Sequence, residues 1–152
     1  MTDMKQRILF LCTGNSCRSQ MAEGWLKHLG GDRFEVFSAG IEAHGKNPRA
    51  MAVMAEAGVD ISEQASEIVD TAMLESLDLL VTVCSHADKH CPIFSMKGKR
   101  AHWPFDDPAK ATGSEDDIMN EFRRVRDQIQ ERIAQYLKTP NNYNDEILCD
   151  YF

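Results

Sequence analysis

Four apolar residues, Ile8-Leu9-Phe10-Leu11, stop abruptly at Cys12-Thr13-Gly14-Asn15, and the apolar spacing beyond that point becomes helical. An unalternating run of this length, closed by turn-forming residues, reads as a strand buried on both faces. Ala22, Trp25, Leu26 and Leu29 then fall on one helical face, which the Gly30-Gly31 pair should end in left-handed backbone. A buried strand, a tight loop and an amphipathic helix in this order leave little besides an α/β fold.

The same alternation continues along the chain. Phe34 to Ala39 reads as a second strand closed by Gly40, and Asn47-Pro48 sets up a helix that should end at Gly58. Leu79 to Val83 is again apolar without alternation and runs directly into Cys84. A fourth strand is expected around Ala101 to Trp103, ahead of the turn Pro104-Phe105-Asp106-Asp107-Pro108. Ile118, Phe122, Val125, Ile129, Ile133 and Tyr136 recur at helical spacing behind the acidic start Glu115 to Asp117, with Pro140 beyond the end. The expectation is one domain over residues 1–138, a four-stranded parallel sheet flanked by helices, followed by a tail over 139–152 with no assigned structure.

The loop Cys12-Thr13-Gly14-Asn15-Ser16-Cys17-Arg18-Ser19 carries the chemistry. A loop at the carboxyl end of a parallel strand turns backbone N–H groups inward, and the following helix adds the positive end of its dipole, so the expected ligand is an anion. Gly14 is expected at positive φ where the loop doubles back, and Asn15 tolerates that region while bracing the loop with its side chain. Arg18 offers a planar fork of donors that matches two oxygens of a tetrahedral anion. Cys12 beneath them is the candidate nucleophile, since a helix N-terminus and a nearby cation favour the thiolate.

Bulk properties narrow the partners. A net charge of -7 argues against non-specific nucleic-acid binding, which depends on Lys and Arg neutralising phosphates. The apolar run Ile8 to Leu11 is far shorter than the roughly 20 residues of a membrane span, and a cytoplasmic monomer is expected. Five cysteines in a reducing compartment invite a redox, catalytic or metal reading, although any one of them can be a small buried hydrophobe.

The stretch from Cys12 to Trp25, with Ser38-Ala39-Gly40-Ile41-Glu42-Ala43-His44-Gly45, Val81-Thr82-Val83-Cys84 and His102-Trp103-Pro104-Phe105-Asp106-Asp107-Pro108-Ala109, resembles the low-molecular-weight tyrosine phosphatases, and more closely their arsenate reductase branch. The resemblance runs from about Arg7 to Leu137. It implies reduction of arsenate to arsenite at Cys12, with phosphate or sulfate as competing anions, Arg18 holding the anion with the loop from Thr13 to Ser19, and Asp107 as general acid in preference to Asp106. It further implies that Cys84 attacks the Cys12 sulfur, that Cys91 then attacks Cys84, and that thioredoxin recycles the enzyme. A potassium ion near the loop is also implied, at positions matching Asn15, Glu23, Ser38 and Glu67, where the last is Glu in place of the expected Asp.

If Cys84 and Cys91 join, geometry demands movement. Seven residues of helix rise about 10.5 Å, whereas a disulfide needs Cα atoms within roughly 7 Å, so the segment from Ser85 to His90 is expected to unwind. Competing readings are a phosphotyrosine phosphatase using Cys12, Arg18 and Asp107, a non-catalytic thiol switch or arsenic sensor, and a metal site formed by Cys84, His86, His90 and Cys91. Against the phosphatase, Ala109 stands where that branch offers an aromatic ring, and Cys84 and Cys91 have no task. Cys17 is expected to pack and Cys149 to have no role.

Overall fold

The computed structural model describes residues 5–85, 87 and 98–138; His86, His90, Cys91, Cys149 and the tail lie outside them. In chain order the elements are β1 Gln6–Cys12, α1 Arg18–Gly30, β2 Phe34–Gly40, α2 Pro48–Glu56, α3 Thr71–Glu75, β3 Leu79–Thr82, β4 Lys99–His102 and α4 Glu115–Lys138. All strand pairs are parallel and the sheet order is β2-β1-β3-β4. This is the four-stranded α/β architecture that the apolar pattern implies. Ile8 to Leu11 are at most 1% exposed, as expected of a central strand covered on both faces.

Helix α1 buries Met21, Ala22, Trp25 and Leu26. Leu29, expected on that face, is instead 37% exposed. The last turn packs through Gly30, whose missing Cβ would lie 2.6 Å from the Phe34 ring, so the small residue and not Leu29 makes the close contact there. Gly31 follows at φ 60°, the positive backbone that the Gly pair was expected to supply. Helix α2 begins as expected at Pro48, with the Asn47 side chain accepting from the N–H groups of Arg49 and Ala50; it ends at Glu56, two residues before Gly58 at φ 86°.

Helix α4 buries Phe122, Val125, Ile129, Ile133 and Tyr136, while Ile118 is only half-buried in its first turn. Its start is a reciprocal capping box: the Asp117 N–H donates to Ser114 Oγ at 3.1 Å and the Ser114 N–H to Asp117 Oδ2 at 3.2 Å. Strand β4 runs over Lys99–His102, earlier than the Ala101 to Trp103 expected, because an edge strand accepts polar residues such as Lys99 and Arg100. Trp103, just past the strand, still donates its N–H to the Thr82 carbonyl at 2.8 Å, and its ring joins an aromatic cluster with Phe10 and Tyr136. The sequence reading missed α3, which is only five residues long and is capped by Asp70; that length cannot show a helical period. Among the described residues no helix is long and apolar enough to cross a membrane.

Candidate active site

Strands β1 and β3 are neighbours in the sheet although β2 lies between them in sequence, so the carboxyl ends of β1 and β3 form the topological switch point where open α/β sheets bind ligands. The loop from Cys12 to Ser19 leaves β1 at this point. Its carbonyls are pinned outward: the N–H groups of Ile41, Glu42, His44 and Asn47 donate to the oxygens of Cys12, Thr13, Gly14 and Ser16 at 3.1, 2.8, 2.9 and 2.9 Å. In a planar trans peptide the N–H points opposite its carbonyl, so these bonds turn the N–H groups of Thr13, Gly14, Asn15 and Cys17 inward. No side chain caps α1, which leaves the N–H groups of its first turn available to an anion.

Two small details make the loop possible. Gly40 sits so close that a Cβ there would lie 2.2 Å from the Glu42 oxygen, 2.7 Å from the Asn15 nitrogen and 2.9 Å from the Thr13 oxygen. The left-handed residue of the loop is Asn15, at φ 48°; Gly14, expected at positive φ, does not adopt it. What Gly14 provides is room, because a Cβ would meet the His44 ring at 2.4 Å. The Asn15 side chain braces the loop as expected, accepting from Ser19 Oγ at 2.8 Å and donating to the carbonyls of Ser38, Ala65 and Glu67 at 3.4 Å each.

Cys12 is buried, with its Sγ 2.8 Å from Ser19 Oγ. The Ser19 hydroxyl has one proton, given to Asn15 in this arrangement and free to turn to sulfur when Cys12 is a thiolate. Arg18 donates from Nη1 to the Phe105 carbonyl at 3.1 Å, and its Nη2 lies 3.6 Å from Asp107 Oδ2. Asp107 also caps the 3-10 turn Pro108–Lys110, accepting from the Ala109 N–H at 3.0 Å. Asp106 points elsewhere, to Arg124 at 2.9 Å. Cys17 is buried in the loop, and burial, reinforced by the Asp107 charge, pushes its thiol well above the ordinary range.

Cys84 follows β3 directly. Its thiol is buried, 3.3 Å from the Thr13 hydroxyl and accepting from the Ala87 N–H at 3.4 Å. Register pairs Leu11 with Thr82, and the Val83 N–H still reaches the Leu11 carbonyl, so Cys84 lies one residue beyond the neighbour of Cys12. That stagger, across the roughly 4.8 Å between adjacent strands, is of the order a disulfide spans. Thr13, Arg18, Cys84, Ser85, Phe105 and Asp107 share one open cleft of about 650 Å³.

Of the positions matched to potassium, Glu23 and Ser38 meet directly, Ser38 Oγ donating to Glu23 Oε1 at 2.5 Å. Asn15 joins them through the Ser38 carbonyl, and Glu67 contributes its carbonyl while its side chain is exposed. Carboxylate, hydroxyl and carbonyl oxygens are hard donors of the kind such an ion takes, but in this arrangement Asn15 turns its amide nitrogen toward the carbonyls, its oxygen accepts from Ser19 and Gln20, and Lys27 already pairs with Glu23 at 2.5 Å. Sequence reasoning missed Gln20, Gln64 and Ser66. Gln20 Nε2 donates to the Asn15 and Ala65 carbonyls at 3.1 and 2.8 Å, Gln64 holds Gln20, and Ser66 Oγ donates to the Asn15 carbonyl at 3.0 Å. The available signal was Gln20, a polar residue beside buried Met21 in the first turn of α1.

This geometry has known counterparts. The family model described as low molecular weight phosphotyrosine protein phosphatase matches residues 7–145. An arsenate reductase of Bacillus licheniformis is 56% identical over 135 residues, which is 89% of this chain and 97% of that protein. Among solved structures, an arsenate reductase in the phosphate binding state is similar with a TM-score of 0.70 at 31% identity, over 88% of this chain and 97% of its own. A tyrosine phosphatase of Erwinia amylovora, at 24% identity, shares the fold with a TM-score of 0.76 over 89% of this chain and 93% of its own. By sequence, fold and site together, the chain belongs to the low molecular weight phosphotyrosine protein phosphatase family, in its arsenate reductase branch.

Proposed function

We propose that the protein reduces arsenate to arsenite at Cys12, with Cys84 and Cys91 carrying the oxidation outward to thioredoxin. The observation that carries this reading is the position of Cys84, whose thiol lines the anion cleft beside Thr13, the residue next to Cys12. Ester hydrolysis would leave that thiol without work. The similarity to arsenate reductases adds support.

In the proposed reaction the loop N–H groups and Arg18 hold the anion, and the Cys12 thiolate attacks arsenic. One oxygen leaves as water after Asp107 protonates it. The Cys84 thiolate then attacks Cys12 Sγ, so that a sulfur–sulfur bond forms as the sulfur–arsenic bond breaks. The electron pair of the broken bond stays on arsenic, which departs as arsenite, reduced by two electrons. Cys91 attacks Cys84 Sγ, moving the disulfide outward and returning Cys12 as a thiolate. A reduced thioredoxin dithiol then takes the disulfide. Such a relay needs a reducing compartment, so the same reading places the enzyme in the cytoplasm.

The test is arsenate-dependent oxidation of reduced thioredoxin. Cys12→Ser, Cys84→Ser and Cys91→Ser are each expected to abolish multiple turnover, and Cys91→Ser to accumulate a Cys12–Cys84 disulfide visible by non-reducing mass spectrometry. Sustained turnover in any single variant would sink the relay. Amide exchange across 85–90 is expected to rise on oxidation, as the geometric argument requires.

Potassium belongs to the same proposal as a brace held by oxygens of Asn15, Glu23, Ser38 and Glu67. When bound it would act electrostatically, sharing the buried Glu23 carboxylate with Lys27 and requiring the Asn15 amide to turn its oxygen inward. The melting temperature should be higher in potassium than in sodium chloride at equal ionic strength, and Glu23→Gln should remove the difference. Equal melting in both salts counts against the ion.

A further inference from the structure

A protein of net charge -7 must attract an anion against its own field. Among the charged side chains lining the cleft, Arg18 is positioned at its floor by the Phe105 carbonyl and balanced by Asp107, and Asp106 is answered by Arg124. Lys110 lines the same cleft, is exposed, and makes no ion pair among the described residues. Its base is nevertheless fixed. Lys110 closes the 3-10 turn that Asp107 caps, with the Lys110 N–H donating to the Asp107 carbonyl at 3.2 Å and the Ala111 N–H to the Pro108 carbonyl at 3.1 Å.

We propose that Lys110 is a specificity-determining residue of this cleft, a rim cation that draws small inorganic dianions toward Arg18 and the loop. The inference rests on the arsenate reading for its natural substrate. Lysine suits recruitment better than grip, because it is a compact point charge on a flexible stem, whereas the planar fork of Arg18 suits bidentate holding. The adjacent Ala109 is exposed and offers no ring to stack on an aryl ester, so charge is the property this rim can read. A dianion gains twice what a monoanion gains from the same cation. The attraction should fade with salt, since the Debye length shrinks from about 10 Å at 0.1 M to about 3 Å at 1 M.

The experiment measures inorganic phosphate affinity by calorimetry and arsenate-dependent thioredoxin oxidation, for wild type, Lys110→Gln, Lys110→Glu and Lys110→Arg, at low and high ionic strength. At low salt Lys110→Gln should weaken phosphate binding and kcat/KM by about three- to tenfold, and Lys110→Glu by more. Lys110→Arg should restore both, kcat should stay within about twofold, and the differences should vanish at high salt. Unchanged phosphate affinity at low salt, a loss that persists at high salt, or a fall in kcat would each overturn the proposal. If wild type turns over no arsenate while phosphate affinity follows the Lys110 series, the arsenate reading falls and the recruiting role stands. Arsenate turnover with phosphate affinity indifferent to Lys110 has the opposite meaning.

Discussion

Three free thiols, Cys12, Cys17 and Cys84, are buried around one loop, and their neighbours separate them. Cys12 faces a hydroxyl inside the anion loop, and Cys84 faces a hydroxyl and an N–H at its rim. Cys17 is desolvated beside Asp107, and Arg18 only partly opposes the rise in its pKa. A thiol raised by folding binds its proton more tightly in the folded than in the unfolded state. Its contribution is therefore fully present below the ordinary thiol pKa and is lost as pH rises beyond it. Unfolding free energy from urea titrations should fall above about pH 9, at most by about 1.4 kcal/mol per pH unit, and Cys17→Ser should flatten that slope. Asp107→Asn should lower arsenate turnover by about 10²- to 10⁴-fold, while Asp106→Asn, which only releases an exposed pair with Arg124, should stay near wild type in the same assay. Gly40→Ala should cost about 2 kcal/mol or more in chemical denaturation and weaken phosphate binding, because the added methyl collides with loop backbone that cannot move aside. The placement of Cys12 and Arg18 on one loop between β1 and α1 was legible from spacing alone. The need for glycine at position 40 was not, because it arises where the turn to Glu42 folds against Thr13 and Asn15, some 25 residues away in sequence.

At the scale of elements, legibility followed length and period. Helix α4 has 24 residues and a clear apolar stripe, so its existence and its buried face were readable, and the Ser114–Asp117 box marks its start. Ser114→Ala should lower stability by about 1 kcal/mol, a shift of roughly 2–4 °C in melting temperature measured by circular dichroism. Helix α1 offers the contrast of a start left without a side-chain cap, at the point where the loop and helix open toward the cleft. A conventional cap there would compete with the anion for the same donors. Strand β4 was misplaced by two residues because an edge strand carries little apolar pattern, and α3 escaped notice because one helical turn has no period to read.

The whole molecule brings β1 and β3 side by side with their carboxyl ends at one rim, and this adjacency sets Cys84 next to the loop of Cys12. On the proposed reading, a net negative chain would meet an anionic ligand there through local N–H groups and a few cations in place of a general positive surface. The α/β class, the strand–loop–helix order and the position of the Cys12 to Ser19 loop were determined by the sequence itself, because burial period and turn residues are local properties. The sheet order, the outward pinning of the loop carbonyls by residues 41–47, the bracing by Gln20, Gln64 and Ser66, and the place of Lys110 on the cleft rim were decided only by tertiary structure. Each depends on which distant segments meet, and spacing along a chain carries no record of that until the core closes around it.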